Sequence, residues 1–464
     1  MVGTALRFVR LGGRELSIDE SLSWAESAGH SAADVLRIQH QLDSGKFPIY
    51  ELAQHYWMGL FGESEAAMRA LPALIGSLSI VLVFILAIEV MLAASASSAP
   101  VENGEKHASR IYIVPAVCAL LFAVALPSVE IARQARMYSM TLAWILVQMI
   151  FVFRARRLGG IANYAGIAVF TAIAVATNFT ALLVIIAEGV WILYLRLAGE
   201  RKSESAARTP LLIGAALVAA MLLLLPFYAG LRYGVEGVKR GDFDWIRLPG
   251  PWEPLATFES ALGSWVFPLF AIFAVVGALG LWRSHRDEAV LLILWLALPP
   301  IALFAGSYIV TAMLVTRYLI SSFVPFFILT AIGIGYLPRQ SYRTIAIVAI
   351  VGLSILRISS DFRPGDNRWR DACRLAVTNA GPDWRIGVCR EYYVVSYYVV
   401  QAAHGENVQL IRLPLRGGSE QAPRVAIVAP TASSAEVAEI RSQYPRTLAT
   451  FKNVVVVARS TASG

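Results

Sequence analysis

The chain has 464 residues, 57% of them hydrophobic, and its mean hydropathy is +0.60. These values exclude an ordinary soluble protein, because apolar runs long enough to cross a bilayer recur along most of the chain. The formal net charge is +8, but the basic residues fall mainly in short segments between apolar runs. That placement favours a role in membrane topology over nucleic-acid binding.

The three cysteines give neither the spacing of a metal site nor a disulfide framework. Cys118 lies within an apolar run, whereas Cys373 and Cys389 lie in the more polar tail. If the tail faces an oxidising compartment, Cys373 and Cys389 are able to pair. The sequence leaves that pairing open.

A polar stretch, Leu11 to Phe61, precedes the first apolar run and contains the adjacent carboxylates Asp19 and Glu20. Two helices are predicted in it, one that Ser31 and Asp34 start and that ends at Leu42, and an amphipathic one from Pro48 to Gly62. The second carries aromatic residues of the types that settle among lipid headgroups, namely Tyr50, Tyr56 and Trp57. We interpret the stretch as an extramembrane loop that lies on the membrane face and holds Asp19 above it.

Ten apolar runs are suitable for membrane-spanning helices. In chain order they are Ala66–Ala93, Ile111–Val129, Ser139–Phe153, Ala162–Asn178, Thr180–Leu197, Leu211–Ala229, Leu262–Trp282, Ala289–Val310, Leu319–Leu337 and Thr344–Ile358. Alternate segments between them are basic and are therefore predicted to be cytoplasmic. The basic positions are Arg154, Arg156 and Arg157; Arg196, Arg201, Lys202 and Arg208; Arg283 and Arg286; and Arg339 and Arg343. The carboxylate stretch and everything after about Ile358 are then predicted to lie outside.

This topology raises a question about Met1 to Arg10, which contains neither a signal peptide nor a spanning helix. The segment is typical of the end of a helix followed by a basic exit. We therefore expect a spanning helix upstream of it rather than insertion with the N-terminus outside.

Three segments between the apolar runs fall on the predicted outer face. One contains Arg133 and Arg136, which would share a face if the segment is helical, followed by Tyr138. A long loop, Leu231 to Ala261, is rich in tryptophan, which suits ring stacking on a glycan and interfacial anchoring equally well. The third segment supplies Arg317 just before the ninth run.

The tail after Asp361 has the pattern of a small α/β domain. One helical face is predicted from Trp369, Cys373, Ala376 and Val377, and a capping box of Ser433 and Glu436 predicts a helix to Gln443. Short buried strands are predicted at Arg385–Cys389, Val408–Leu413, Arg424–Val428 and Val454–Ala458. The expected domains are therefore an outer-face loop (1–65), a transmembrane domain (66–360) and an extracytoplasmic α/β domain (361–464).

Several short motifs, in this order and spacing, resemble the GT-C membrane glycosyltransferases of the protein O-mannosyltransferase-like branch, which includes the lipid A aminoarabinose transferases. They are Leu16–Ser21, Gly45–Tyr50, Gly62–Ser64 with Arg69, Gln134–Ser139 and Thr316–Leu319. The resemblance implies a polytopic α-helical GT-C fold with juxtamembrane helices in the first outer loop. Family members normally have a spanning helix before the Asp-Glu motif. Gln134 stands where an acidic residue is often found, and Gly45 where some members have a metal-ligating acid, so no metal and no cofactor are expected.

The activity implied by the resemblance is inverting transfer of one sugar from a polyprenyl-phosphate carrier to an acceptor hydroxyl of a lipid, glycan or protein. It would take place at the outer face of the plasma membrane, the inner membrane of a bacterium. A base must take the hydroxyl proton, and cations must hold the departing phosphate. Asp19 is the candidate base, with Glu20 supporting it or positioning the acceptor. The candidate phosphate-binding residues are Lys46, Arg136, Tyr138 and Arg317, with Arg133 in reserve.

Each of these residues also has a structural interpretation. An acidic pair in a loop is usually solvated, and arginines that flank spans are usually interfacial anchors. We interpret His55 as an interfacial packing residue rather than a ligand. Glu188, midway along an apolar run, is a functional hypothesis by its position alone, and the sequence names no partner for it.

Three other functions compete with transfer from a phosphate-linked donor. A transporter or flippase predicts internal repeats and charges near the midplane, whereas the charges here cluster at one face. A polyprenyl-diphosphate-dependent glycan ligase would be expected to centre on a large outer loop. A membrane-anchored binding protein would act through its tail.

Overall fold

The computed structural model describes residues 1–43, 46–96, 104–198, 204–225, 236, 245–359, 362, 368–380, 384–404, 406–414 and 422–459. The chain divides into two compact units. Unit 1 comprises Met1–Val9, Gln39–Ala53 and Arg69–Arg363, and unit 2 comprises Arg10–Ile38, Gln54–Met68 and Pro364–Gly464. The basic positions Arg201 and Lys202, and residues 231–235 and 237–244 of the tryptophan-rich loop, lie outside the described residues.

Helices make up most of the described chain. The first eleven are α1 (Val2–Phe8), α2 (Ile18–Ser27), α3 (Ala32–Leu42), α4 (Ile49–Phe61), α5 (Glu65–Ala96), α6 (Gly104–Val124), α7 (Leu126–Ala132), α8 (Tyr138–Leu158), α9 (Ile161–Thr177), α10 (Leu182–Ala198) and α11 (Glu204–Leu223). The next are α12 (Glu253–Leu262), α13 (Phe267–Ser284), α14 (Arg286–Ile309), α15 (Phe323–Gly335), α16 (Gln340–Ser359), α17 (Arg368–Asn379), α18 (Tyr392–Ala402) and α19 (Ser434–Gln443). Short 3₁₀ segments lie at Leu11–Gly13, Phe179–Ala181 and Thr316–Ser322.

The apolar runs form helices suited to a membrane. Seven helices in the described part of the chain are long and apolar enough to span one, and α6 with α7 adds an eighth if that pair, bent by 60°, is one span. Two further runs form the shorter apolar helices Ile161–Thr177 and Arg208–Leu223. The chain is a multi-pass membrane protein, and its helices correspond in position to the ten predicted runs, although length and composition establish only seven or eight spans.

A proline interrupts the helix of the second apolar run, and a buried arginine donates hydrogen bonds to the carbonyls left without a partner. In a continuous helix the carbonyl of Ala123 would accept the N–H of Pro127, which has none. The guanidinium of Arg7 on α1 donates to that carbonyl at 2.9 Å and to the carbonyl of Phe122 at 3.4 Å. The Ser128 hydroxyl also donates to the Phe122 carbonyl. The carbonyls freed by the break thus keep partners within the protein, as an apolar surrounding requires.

The predicted cytoplasmic arginines at the end of α8 form ion pairs with acidic residues of other helices. Arg154 and Arg157 pair with Glu89 at 2.6 and 2.8 Å, and Arg156 pairs with Asp287 at 2.6 Å and with Glu288 at 3.0 Å. Glu89 and Glu288 are buried, so these pairs also neutralise carboxylates that water does not reach. The arginines from which a cytoplasmic segment was predicted therefore also link α8 to α5 and α14 through ion pairs.

Two features inside unit 1 depend on contacts far apart in sequence. Glu188, fully buried, accepts a hydrogen bond from the Gln148 amide at 2.8 Å, which supplies the partner that the sequence did not name. Gly277 on α13 and Gly333 on α15 lie at a close crossing, where an added Cβ would overlap a carbonyl of the facing helix. Small residues allow membrane helices to approach in this way.

Unit 2 contains a five-stranded sheet in the order β2-β1-β3-β5-β4. The strands are β1 (Arg385–Cys389), β2 (Gln409–Arg412), β3 (Val425–Val428), β4 (Arg446–Phe451) and β5 (Val454–Ala458). β1 pairs in parallel with β2 and β3, and β5 pairs antiparallel with β3 and β4. The four predicted strands are present, as are the helices α17 and α19. Sequence reasoning missed β4 and α18.

The three cysteines are free and buried. Cys389 packs in an apolar cluster with Val428, Val457 and Tyr444, and burial raises the pKa of the Cys373 thiol. The pairing of Cys373 with Cys389, which the sequence left open, is not formed in this structure.

Candidate active site

Asp19 and Glu20 lie in the first turn of a helix rather than in a loop. α2 begins after Ser17, whose hydroxyl accepts the Glu20 N–H at 3.3 Å, while the Glu20 carboxylate accepts the Ser17 N–H at 2.9 Å. This capping box buries Glu20 and leaves Asp19 half-buried. The positive end of the helix dipole stabilises carboxylates at both positions. The Ser-x-x-Glu spacing in the sequence was a signal for this helix, and sequence reasoning did not use it.

Three contacts within unit 2 hold α2 in place. The Trp24 indole N–H donates to the Glu63 carboxylate at 2.9 Å, and its ring meets that of Tyr397 edge to face at 5.3 Å. Just before the helix, the Leu16 N–H donates to the Tyr398 hydroxyl at 2.7 Å. Tyr397 and Tyr398 both belong to α18, so a tail helix fixes the element that carries Asp19.

In unit 1, the structure brings together three of the predicted phosphate-binding residues. Arg136 lies in the turn between α7 and α8, Tyr138 is the first residue of α8, and both are buried. The 3₁₀ segment Thr316–Ser322 packs against α7 and α8. Tyr318 on this segment interacts electrostatically with Tyr138, Arg317 and Arg136. We call Arg136, Tyr138, Arg317 and Tyr318 the cationic cluster.

Aromatic rings flank the guanidinium of Arg317. It lies 5.1 Å from the ring centre of Trp245 and 5.7 Å from that of Tyr318. Such cation–π contacts orient a guanidinium without neutralising it. Trp245 belongs to the described end of the tryptophan-rich loop, so this loop reaches a predicted site residue, although sequence reasoning assigned it no such contact.

Lys46 is buried and its charge is already balanced. Its ammonium lies 2.8 Å from a Glu51 carboxylate oxygen and 3.3 Å from an Asp43 oxygen. The Lys46 carbonyl accepts the Gln39 amide at 2.9 Å, and the Phe47 N–H donates to the Ala176 carbonyl at 3.2 Å. Glu51 lies on α4, and no motif in the sequence indicated its pairing with Lys46.

Arg133, the reserve candidate for phosphate binding, bonds the main chain at the end of α1. α7 ends at Ala132, so Arg133 and Arg136 do not share the face of one helix, which corrects the helical interpretation of this segment. The Arg133 guanidinium donates to the carbonyls of Leu6 at 3.1 Å, Arg7 at 3.4 Å and Val9 at 2.6 Å. These bonds join it to the main chain at the end of α1, and its guanidinium also lies 4.5 Å from the ring centre of Phe362.

The candidate site residues thus divide between the two units, with Asp19 and Glu20 in unit 2 and the cations in unit 1. His55 on α4 donates to the Ser27 carbonyl at 3.0 Å, in agreement with the packing interpretation. Among the residues that the structure describes, no group of three or more His, Cys, Asp or Glu side chains could hold a metal ion. The chemistry available is a half-buried carboxylate and a set of guanidinium, ammonium and phenol groups.

Comparison with solved structures reveals close similarity of fold over the whole chain. The crystal structure of ArnT from Cupriavidus metallidurans bound to undecaprenyl phosphate superposes with a TM-score of 0.67 at 14% identity, over 99% of this chain and 97% of that one. This chain has the GT-C fold. Two structures of the oligosaccharyltransferase of Archaeoglobus fulgidus share it as well.

One of these, in complex with zinc and sulfate, has a TM-score of 0.52 at 12% identity over 87% of this chain and 63% of that one. The other, AglB in complex with an inhibitory peptide and a dolichol-phosphate, has a TM-score of 0.55 at 10% identity over 100% and 73%. No protein-family model and no curated protein matches the sequence. At these identities the similarity establishes the GT-C fold and leaves the reaction to be argued from the residues.

Proposed function

We propose that this chain is a glycosyltransferase that moves one sugar from a polyprenyl-phosphate carrier to an acceptor hydroxyl at the outer face of a bacterial inner membrane, with inversion. The observation that carries the proposal is the cationic cluster, in which Arg136, Tyr138 and Arg317 lie together in a GT-C fold. The ArnT and AglB structures with undecaprenyl phosphate and dolichol-phosphate support a carrier of this class. The acceptor belongs to a lipid, a glycan or a protein.

In the proposed reaction, the acceptor oxygen attacks the anomeric carbon from the side opposite the phosphate. The Asp19 carboxylate takes the hydroxyl proton as the new carbon–oxygen bond forms. The bond between the anomeric carbon and the phosphate oxygen breaks, and its electron pair leaves with the polyprenyl phosphate. Glu20 acts as a positioning residue, because its carboxylate fixes the start of the helix that carries Asp19.

The departing phosphate gains negative charge, and the cations stabilise it. Arg136 and Arg317 offer guanidinium forks, which match phosphate oxygens. Tyr138 offers its phenolic hydroxyl as a further hydrogen-bond donor. Lys46 attracts the phosphate less strongly than the two arginines do, because Glu51 and Asp43 already balance its charge. Arg133 supports the turn that carries Arg136 rather than the phosphate itself, since it donates to three main-chain carbonyls.

The central test is Asp19→Asn, assayed in membranes with a panel of polyprenyl-phosphate-linked hexoses and pentoses. We expect a loss of about 10²- to 10⁴-fold in transfer, the usual contribution of a general base. Stability should fall by no more than the lost interaction with the helix dipole, about 0.3–1 kcal/mol. Asp34→Asn is the matched control, since Asp34 is also an aspartate in the first turn of a helix of unit 2. Full activity in Asp19→Asn would remove Asp19 from the role of base.

The donor and acceptor are best sought in cells. Membranes of a strain that lacks the protein should contain a glycan or glycolipid that has lost one sugar, and the intact protein should restore it while Asp19→Asn should not. An unchanged envelope glycan profile would contradict the proposed transfer. Cysteine labelling from outside should reach the tail and not the Arg196–Arg208 segment, and the reverse pattern would contradict the sidedness.

A further inference from the structure

We propose that unit 2 carries a separate binding pocket for a phosphate- or carboxylate-bearing group. The pocket is a cavity of about 230 Å³ lined by the amino end of α5, by α17 and α18, and by His404. A buried water needs only about 10–15 Å³, whereas drug-sized ligands occupy pockets of about 300 Å³ or more. The cavity therefore suits one charged group or one sugar ring, not a whole lipid.

The inner wall of the pocket contains Arg370, which interacts with the carboxylates of Glu65 and Glu15. The Arg370 guanidinium lies 2.7 Å from the Glu65 carboxylate, and the Tyr398 hydroxyl donates to the same oxygen at 3.1 Å. Arg370 also donates to the Gly12 carbonyl at 3.2 Å. These bonds hold the wall in a defined shape, and burial raises the pKa of the Tyr398 phenol, which therefore remains a hydrogen-bond donor.

The outer wall carries the surplus positive charge. Arg374 lies one turn after Arg370 on α17, lines the same cavity and is exposed. It has no ion-pair partner in the part of the chain that the structure describes. His404, also exposed, adds a second group that carries positive charge when protonated. Glu65 and Glu15 both act on Arg370 and neither forms an ion pair with Arg374, so an anion is attracted to the Arg374 side of the pocket.

The chemistry of the lining indicates which anion. A guanidinium fork binds the paired oxygens of a phosphate or carboxylate. The Gln401 amide lines the same cavity and is able to bond the hydroxyls of an attached sugar or glycerol. None of the predicted transfer residues lines this cavity. The inference therefore goes beyond the proposed reaction and does not require it.

The anionic group has two possible sources, a lipid headgroup or a water-soluble glycan. Glu65 is the first residue of the helix that forms the first candidate span, so the pocket lies at the polar end of that helix. Either source presents the same chemistry, namely an anionic oxygen pair next to hydroxyl groups. Binding measurements in bilayers of different charge distinguish them.

The experiment uses the full chain in a neutral detergent and follows the ³¹P linewidth of added inorganic phosphate. Arg374→Gln is compared with Arg441→Gln, an exposed helical arginine of the same unit that does not line the cavity. We expect saturable binding that Arg374→Gln weakens roughly tenfold, the effect of losing one charge-assisted bond, while Arg441→Gln leaves it unchanged. Phosphate held by the cationic cluster contributes equally in both variants, so their difference reports the pocket.

Thermal denaturation of both variants confirms that they are folded, which is expected because both side chains are exposed. The measurement is repeated in nanodiscs of phosphatidylcholine alone and with phosphatidylglycerol. Loss of the Arg374-dependent binding in the anionic discs identifies a lipid headgroup as the occupant, and retention identifies a soluble anion. Equal phosphate binding by Arg374→Gln and Arg441→Gln, or an absence of saturation, would overturn the proposal, whatever the result of the transfer assay.

Discussion

A buried ion pair of unit 1 and two exposed arginines of unit 2 differ in how their charge is accommodated. In unit 1, Lys46, Glu51 and Glu288 are each at most 9% exposed and lie in ion pairs. In unit 2, Arg374 and Arg441 are exposed and water solvates them. A charge that water cannot reach depends on its partner, because an unpaired buried charge is far more costly than a solvated one. Removing a charge should therefore cost more at the buried pair of unit 1 than at the exposed arginines of unit 2.

The largest effect is expected for Glu51→Gln, which leaves Lys46 buried with Asp43 as its only carboxylate partner among the pairs described above. Breaking a buried pair costs about 3–5 kcal/mol, and the remaining Asp43 contact favours the lower end of that range. Thermal denaturation followed by tryptophan fluorescence measures the loss of stability.

The matched control replaces both members of the pair, as Lys46→Met with Glu51→Leu. Apolar side chains of similar volume often substitute for a buried ion pair at little cost, so most of the stability should return. If the double variant is less stable than Glu51→Gln, the contrast between the units does not arise from an unpaired charge.

A smaller effect, independent of charge, is expected for Gly277→Ala at the crossing of α13 and α15. The new methyl group would overlap the Leu329 carbonyl, so the two helices must move apart, at a cost near the upper end of about 1–3 kcal/mol. Gly352→Ala, on α16 with open space around it, should be neutral or slightly stabilising. Equal melting temperatures for the two variants would refute the close crossing.

The smallest effect is expected in unit 2 for Tyr398→Phe. The change removes the hydroxyl that accepts the Leu16 N–H and donates to Glu65, which should cost about 1–2 kcal/mol. Tyr393→Phe, on the same helix, should leave stability unchanged. Because the Leu16 contact precedes α2, hydrogen exchange should also accelerate at residues 16–20, and unchanged exchange there would show that Tyr398 does not order this helix.

Local signals in the sequence predicted several elements with near-correct bounds. Pro48 and Gly62 bracket α4, Ser31 and Asp34 start α3, and the capping box at Ser433 starts α19. Each of these signals satisfies or, for proline, removes a free backbone group at one end of a helix, so it acts without help from the rest of the fold. The same type of capping box at Ser17 was present in the sequence and was missed.

Other elements depend on packing that sequence spacing does not reveal. α18 is rich in tyrosine and valine, residues that favour strands, yet it is helical with Val394, Val395 and Tyr397 buried. β4 was missed because none of its side chains is fully buried and they show no apolar alternation.

The sequence named candidate site residues but not their contacts, and the roles of these residues in transfer stay predictions. The motifs named Arg136, Tyr138 and Arg317, and the structure groups them. Nothing in the sequence indicated that Arg133 bonds the end of α1 or that Glu51 balances Lys46, because these contacts depend on how distant segments fold together.

The bond from Arg7 to the broken span has a practical consequence for expression. A shortened version of the protein that lacks α1 would remove the donor that serves the Ala123 carbonyl, and water or detergent would have to enter an apolar region to replace it. Affinity tags should therefore be attached through a linker that leaves residues 1–9 in place, and proteolytic trimming of these residues during purification should be avoided.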